Sequence, residues 1–290
     1  MNDFRPNRFQ VLPTIVKNLI IINSLFALAQ YVIGQSGFDL STVLGLHYWK
    51  SQYFHWWQML THMFMHGSYD DLNATILHLF SNMFALWMFG SVLENVWGPK
   101  RFLTFYLICG LGAAMCHLSV LGYQYHTFDH AFEMYQQNPT LDQYILFIKQ
   151  HNLEGIVWKD SSGHLVNGFN VIRDMWSNNP ASSLYSNESI SMIHKYQSMS
   201  YNEATVGASG AVFGVLFAFG YLFPNMELLI YFLVPVKAKY VVALYAIFEL
   251  YAGVRNSAGD NVAHFAHLGG MLFAFILLKF WNRKMHNRFY

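Results

Sequence analysis

The sequence predicts an all-α membrane protein: a bundle of six transmembrane helices with a small mixed extramembrane insert between the third and the fourth. Three observations carry this expectation. Of 290 residues, 54% are hydrophobic and only 11% are charged, against about 25% charged in a typical soluble domain. Apolar runs recur at roughly the 20-residue length that crosses a bilayer. One long polar stretch, 122–203, interrupts them. The net charge of +1 gives no whole-chain signal for nucleic acid, so the expected partners are the lipid bilayer and other membrane proteins.

The elements follow in order. Segment 14–33 is mostly apolar, with Arg5 and Arg8 ahead of it and Lys17 near its start. Basic residues before Leu19–Phe26 and Ala27-Leu28-Ala29 imitate a signal peptide, but the apolar stretch runs on past a usual signal core, so an uncleaved span is expected. Residues 34–71 form a first loop rich in aromatics (Tyr48, Trp49, Tyr53, Phe54, Trp56, Trp57), as suits a headgroup interface. Segments 72–96 and 102–121 are the second and third spans. Cys109 and Cys116 both lie in the third, about 10.5 Å apart along a helix, too far for a disulfide.

The insert 122–203 carries three local signals. Thr140 with Gln143 makes a capping box ahead of a helical stripe, Leu141, Tyr144, Ile145 and Ile148. Ile156–Lys159, a turn Asp160–Gly163 and His164–Asn167 read as a hairpin, and Ser186–Gln197 as a second helix. The insert joins span 205–223 directly, which places it over or beside that span's outer end. Met226–Val236 is apolar but too short to cross, with Pro235, Lys237 and Lys239 at its end, and is expected as interfacial or re-entrant backbone. Spans 238–254 and 262–281 complete the set within a single domain, 1–290.

Lys and Arg set the orientation. With a cytoplasmic N-terminus, eleven of the 17 basic residues face inward: Arg5, Arg8, Lys17, Lys100, Arg101, Lys237, Lys239, Lys279, Arg283, Lys284 and Arg288. Both termini are then cytoplasmic, and the insert lies outside.

Polar side chains inside a bilayer are costly and are functional candidates by default. Here they are His78 and Asn82 in span 72–96, Ser209 in span 205–223, and His264 and His267 in span 262–281. These three spans run in the same direction. Ser209 and His267 then sit at similar depth, roughly 6–8 Å below the outer end at 1.5 Å per residue, with His78 and Asn82 somewhat deeper. Gly210 and Gly214, and Gly270 and Ala274, are each four apart, the spacing that lets helix backbones approach closely in a membrane. A serine needs a base within about 2.6–3.2 Å to act as a nucleophile, and close packing brings His267 within reach of Ser209.

These motifs resemble those of the rhomboid intramembrane serine proteases, of the bacterial type with a six-helix core. Gly207-Ala208-Ser209-Gly210 is similar to the family's GxSG motif, and Ala266-His267-Leu268-Gly269-Gly270 to its AHxxG motif. His78-Leu79-Phe80-Ser81-Asn82 is similar to its HxxxN motif. The resemblance implies hydrolysis of peptide bonds in or near the transmembrane segments of single-pass or multi-pass proteins, in a bacterial inner membrane. It implies a dyad of Ser209 as nucleophile and His267 as general base, without a third carboxylate or a cofactor. It also implies His78, Asn82 and the Ser209 backbone N–H as oxyanion donors. Gly207, Gly210, Phe213 and Gly270 support the site, with Phe213 on the Ser209 face where the family often has tyrosine. One departure is Trp57-Gln58 where the family usually has Trp-Arg; another is the insert.

Other readings stay open at this level. Ser209 among glycines also suits a packing residue at a helix interface. His264 is expected as a structural hydrogen-bonder, His62 and His66 as partners of loop backbone groups, and His117 as interior packing. Glu94 is expected in a helix-end network, and Glu249 is isolated in sequence. A metalloprotease lacks HExxH and a third ligand near His264 and His267, so no metal is expected. A catalytically silent relative that binds membrane proteins, and a haem protein using His78, His117, His264 and His267, are the alternative functions.

Overall fold

A computed structural model describes residues 9–68, 71–159, 164–230, 233–255 and 263–286. Arg5, Arg8 and Arg288 of the orientation count, and the turn Asp160–Gly163, lie outside the described residues.

Nine helices of ten residues or more organise the described residues: α1 (Thr14–Gly34), α2 (Leu72–Trp97), α3 (Pro99–Gln137), α4 (Leu141–Gln150), α5 (Gly168–Asn178), α6 (Leu184–Tyr201), α7 (Ser209–Leu222), α8 (Ala238–Arg255) and α9 (His264–His286). Four of them, α1, α2, α3 and α9, are long and apolar enough to cross a membrane. Large apolar side chains on the outside of the bundle (Ile21, Leu25 and Leu28 on α1; Leu244, Phe248 and Tyr251 on α8) stand exposed. Such faces are stable only against lipid. The chain is an integral, multi-pass membrane protein.

Helix α7 is the centre of the bundle. Gly210, Ala211, Val212, Gly214, Val215, Leu216, Ala218, Phe219 and Gly220 are all buried, and the helix packs most extensively on α9 and α3, then on α8. At 14 residues it spans about 21 Å. Its start corrects the expected 205–223: Ser209 is the first helical residue rather than the fifth. The cause is Gly207, whose φ of +134° breaks the helical path. A Cβ there would lie 3.0 Å from Cε1 of His78, so the turn needs glycine on both counts.

Helix α2 contains a π-helical turn, Leu86–Gly90. Near its end Glu94, 3% exposed, accepts hydrogen bonds from the backbone N–H groups of Ile15 (2.9 Å) and Val16 (2.8 Å). A carboxylate thus satisfies two orphan donors at the start of α1, where Pro13 offers no side-chain cap.

The third span was expected to end at 121, but α3 continues to Gln137. Beyond 121 its apolar residues shift to a stripe, Phe128, Phe132 and Tyr135, that is buried in a second core with Tyr144, Phe147, Ile148, Phe169, Ile172, Trp176 and Ile193. The insert is therefore folded. Thr140 caps α4 by accepting from Gln143 N. Strands β1 (Trp158–Lys159) and β2 (Leu165–Val166) pair antiparallel within the expected hairpin. Helix α6 is longer than the expected 186–197, and α5 was not expected at all. In the stretch expected as interfacial or re-entrant backbone, β3 (Glu227–Ile230) and β4 (Val234–Lys237) pair antiparallel.

The first loop is organised by Gln58, which is fully buried. Its carbonyl oxygen accepts from the backbone of His47 and His55. Its amide donates to the carbonyls of Val43 (3.2 Å) and Tyr53 (2.7 Å). At a position where the resemblance leads one to expect arginine, an uncharged amide serves both donors and acceptors, which arginine cannot. Two further contacts tie this loop to the insert. Lys50 pairs with Asp129 at 2.9 Å, and the Tyr48 ring packs against Tyr125 and Tyr201 at 4.7 and 5.2 Å.

Candidate active site

Three elements meet at the site. The segment 205–208 enters it, held by an isolated bridge between Thr205 and Leu46 and by Gly207 N–H donating to the His62 carbonyl at 2.9 Å. Helix α7 begins there, so the Ser209 side chain stands at a helix N-terminus with its unpaired backbone N–H groups. Helix α9 crosses closely beside it. A Cβ on Gly270 would fall on the Gly210 carbonyl oxygen, so only glycine permits this crossing.

The crossing places Nε2 of His267 2.8 Å from Oγ of Ser209. His267 is 7% exposed, and the Phe213 ring stacks on it at 4.1 Å with a 6° interplanar angle. On the other edge of the imidazole, Nδ1 lies 2.9 Å from Oε2 of Glu249. The same oxygen lies 2.6 Å from Nδ1 of His264. An ionised carboxylate only accepts, so both histidines donate from Nδ1. The Nε2 lone pair of His267 is then left to accept the Ser209 hydroxyl proton.

Two expectations need correction here. Glu249, isolated in sequence, sits on the histidine of the pair, so a third carboxylate is present. The histidine pair also does not lack a third ligand-type group, since one atom each from Glu249, His264 and His267 falls within 4.8 Å of the others. The separations are nevertheless those of hydrogen bonds. Ligand atoms about 2.0–2.1 Å from a tetrahedral zinc stand roughly 3.3 Å apart, and the two contacts to Oε2 are shorter.

His78, half-buried on α2, faces the site across Gly207. Asn82 is 5% exposed, and its amide nitrogen donates to the His78 carbonyl at 2.9 Å. That bond commits one of its two amide hydrogens to its own helix. His62 Nδ1 is 2.8 Å from the Gln58 carbonyl, and His117 Nε2 is 2.8 Å from Thr205 Oγ1. His66 departs from expectation: neither ring nitrogen has a hydrogen-bond partner among the described residues. The loop is held instead by Gln30 of α1, which donates to the Gly67 carbonyl and accepts from His66 N–H. Gln30 went unnoticed in the sequence, although a buried amide within a span is itself a signal. A small cavity beside Ser209 is lined by His62, His117, Thr205 and Gly207 among others.

A serine hydroxyl and an imidazole thus stand at hydrogen-bond distance, partly buried where helices of a multi-pass bundle cross. The family model described as the Rhomboid domain matches residues 53–131 and 181–283, and the chain belongs to the rhomboid family. Members of that family are in general intramembrane serine proteases. The unmatched stretch 132–180 falls within the insert. A search of curated proteins gave no match.

Proposed function

We propose that the protein is an intramembrane serine endopeptidase that cleaves membrane proteins in or near their transmembrane segments. The 2.8 Å contact of Ser209 Oγ with His267 Nε2 carries this reading. Ser209 attacks the scissile carbonyl carbon as its proton passes to His267 Nε2. His267 then returns that proton to the leaving amine, and water hydrolyses the acyl-enzyme. The small cavity beside Ser209, with His62, His117 and Thr205 in its lining, suits the incoming water. A catalytically silent relative would not need the serine and histidine so arranged.

Six spans complete the reading. In addition to the four long helices, α7 extended by residues 205–208 and α8 cross the bilayer. Both termini are cytoplasmic, the folded insert lies outside, and the membrane is a bacterial inner membrane. The test is cleavage by purified protein in lipid bilayers of a panel of single-span proteins, with product termini mapped by mass spectrometry. Cuts within or next to the spans support the proposal. Failure to cleave any substrate, together with no labelling of Ser209 by a fluorophosphonate, contradicts it.

The oxyanion is assigned to the Ser209 N–H, the His78 ring and the second amide hydrogen of Asn82. Removing one such donor costs a serine protease about 10²–10³ in kcat. Asn82→Ala is therefore expected to lower kcat by about that factor with little change in KM, since the bond strengthens only as charge develops. An effect confined to KM places Asn82 in substrate binding instead.

The insert serves as a cap that limits which substrates reach Ser209. Asn202 holds Ser51 of the first loop at 2.7 Å, seven residues ahead of the nucleophile. Replacing 138–183 by a short Gly/Ser linker leaves the Tyr48, Tyr125 and Tyr201 contacts in place. That variant is expected to retain fluorophosphonate labelling but to cleave a different set of proteins. An unchanged set makes the insert a spacer, and lost labelling in a folded variant makes it part of the scaffold.

A further inference from the structure

Glu249 has no task in a two-residue mechanism, yet its position is a costly one. It lies in the middle of α8, whose neighbouring Ile247, Phe248, Leu250 and Tyr251 are exposed on the lipid-facing side. Glu249 itself is 4% exposed. A carboxylate at such a site carries a desolvation penalty of several kcal/mol unless donors surround it. Among the described residues its two donors come from one helix: His264 and His267 are three residues apart on α9 and converge on the same oxygen, Oε2.

We propose that Glu249 is a positioning residue that turns the Ser209–His267 pair into a functional triad, with His264 holding the carboxylate in register. This rests on the reading of Ser209 as nucleophile and His267 as base. The argument has three parts. Accepting from Nδ1 fixes the His267 tautomer that leaves Nε2 free to take the serine proton. The hydrogen bond on one edge and the Phe213 ring stacked on the face fix the imidazole plane, so the ring cannot swing away from Ser209. As the proton moves from Oγ to Nε2, the nearby carboxylate stabilises the imidazolium, while the Nδ1 proton stays on His267 and Glu249 remains ionised. His264 occupies Oε2 from a second direction. A carboxylate held by two donors loses less by pointing at His267 than one that has to be fixed by a single bond.

The resemblance noted in the sequence implies a dyad without an acid. In this chain the acid comes from α8, 18 residues ahead of His267.

The experiment compares wild type, Glu249→Gln and His264→Ala in detergent or bilayers. It measures kcat and KM on a transmembrane substrate, the second-order rate of Ser209 modification by a fluorophosphonate, and the unfolding midpoint. It also records the far-downfield proton NMR signal of an imidazole N–H bonded to a carboxylate. Glutamine keeps the shape, but its amide hydrogens compete for Nδ1 and favour the wrong tautomer. The comparable change in a soluble triad costs about 10⁴ in kcat. Glu249→Gln is expected to lower kcat and the labelling rate about 10²- to 10⁴-fold, to leave KM within about threefold, and to remove the downfield signal. His264→Ala is expected to lower kcat about 3- to 30-fold, because Oε2 keeps one donor.

A folded Glu249→Gln protein with wild-type kcat and labelling rate overturns the proposal. So does a wild-type protein with no downfield signal, a readout that needs no variant to fold. Stoichiometric metal bound by wild type and lost in Glu249→Gln overturns it too, assigning the cluster to an ion. If wild type itself is not labelled while folded, the reading of Ser209 fails rather than this one.

Discussion

Ser209→Ala is expected to lower cleavage of a membrane-spanning substrate by at least about 10⁴-fold, and His267→Ala by a similar factor. Residues that act as a unit fail as a unit: without the hydroxyl no acyl-enzyme forms, and without the imidazole nothing accepts the proton. The effect should fall on kcat, with KM and the unfolding midpoint close to wild type. Ser209 Oγ makes a single described contact, to His267 Nε2 at 2.8 Å, so its loss opens no cavity larger than an oxygen atom. Turnover, KM and the unfolding midpoint for the three proteins check this. A Ser209→Ala protein that cleaves at the wild-type rate refutes the mechanism.

Gly270→Ala is the second large effect, and it acts through packing. The added methyl group would meet the Gly210 carbonyl oxygen and, at 2.8 Å, its carbonyl carbon. Both are backbone atoms of α7, so no rotamer change relieves the contact. The two most extensively packed helices of the bundle must separate or twist, and overpacking costs about 1–3 kcal/mol, occasionally more. Because Ser209 and His267 sit on either side of the same crossing, their hydrogen bond lengthens with the interhelical distance. Denaturant unfolding in detergent should show the destabilisation, and the fluorophosphonate rate should fall with it in whatever fraction stays folded. Wild-type values for both would mean that α7 and α9 are not held at this separation.

The sequence carries much of this architecture, because hydropathy and small-residue spacing are direct readings of what lipid and close helix packing require. Ser209, His267, Gly210, Gly270 and Phe213 do meet. What hydropathy misses is structure buried against protein instead of lipid. Beyond residue 121 the helix α3 stays periodic at Phe128, Phe132 and Tyr135 but turns polar between them, so a transmembrane window ends too early. Helix α5 shows the same amphipathic stripe at Phe169, Ile172 and Trp176 behind an Asn167 cap, a signal that hydropathy alone does not weigh. The start of α7 at Ser209 depends on the positive φ of Gly207, which spacing does not reveal. Glu249 is the most instructive case. A lone acid within an apolar segment announces that it has a partner, but only the three-dimensional packing of α8 on α9 tells which. Gln30 follows the same rule, being a buried amide that serves loop backbone groups far away in the sequence.

The central claim is that Ser209 is a nucleophile activated by His267. The measurement closest to it is fluorophosphonate labelling of the purified, folded wild-type protein, with the adduct located by peptide mapping. The account predicts a single adduct, on Ser209, formed at a rate that His267→Ala reduces to background. An adduct on another serine, or labelling of Ser209 that is indifferent to His267, would contradict it.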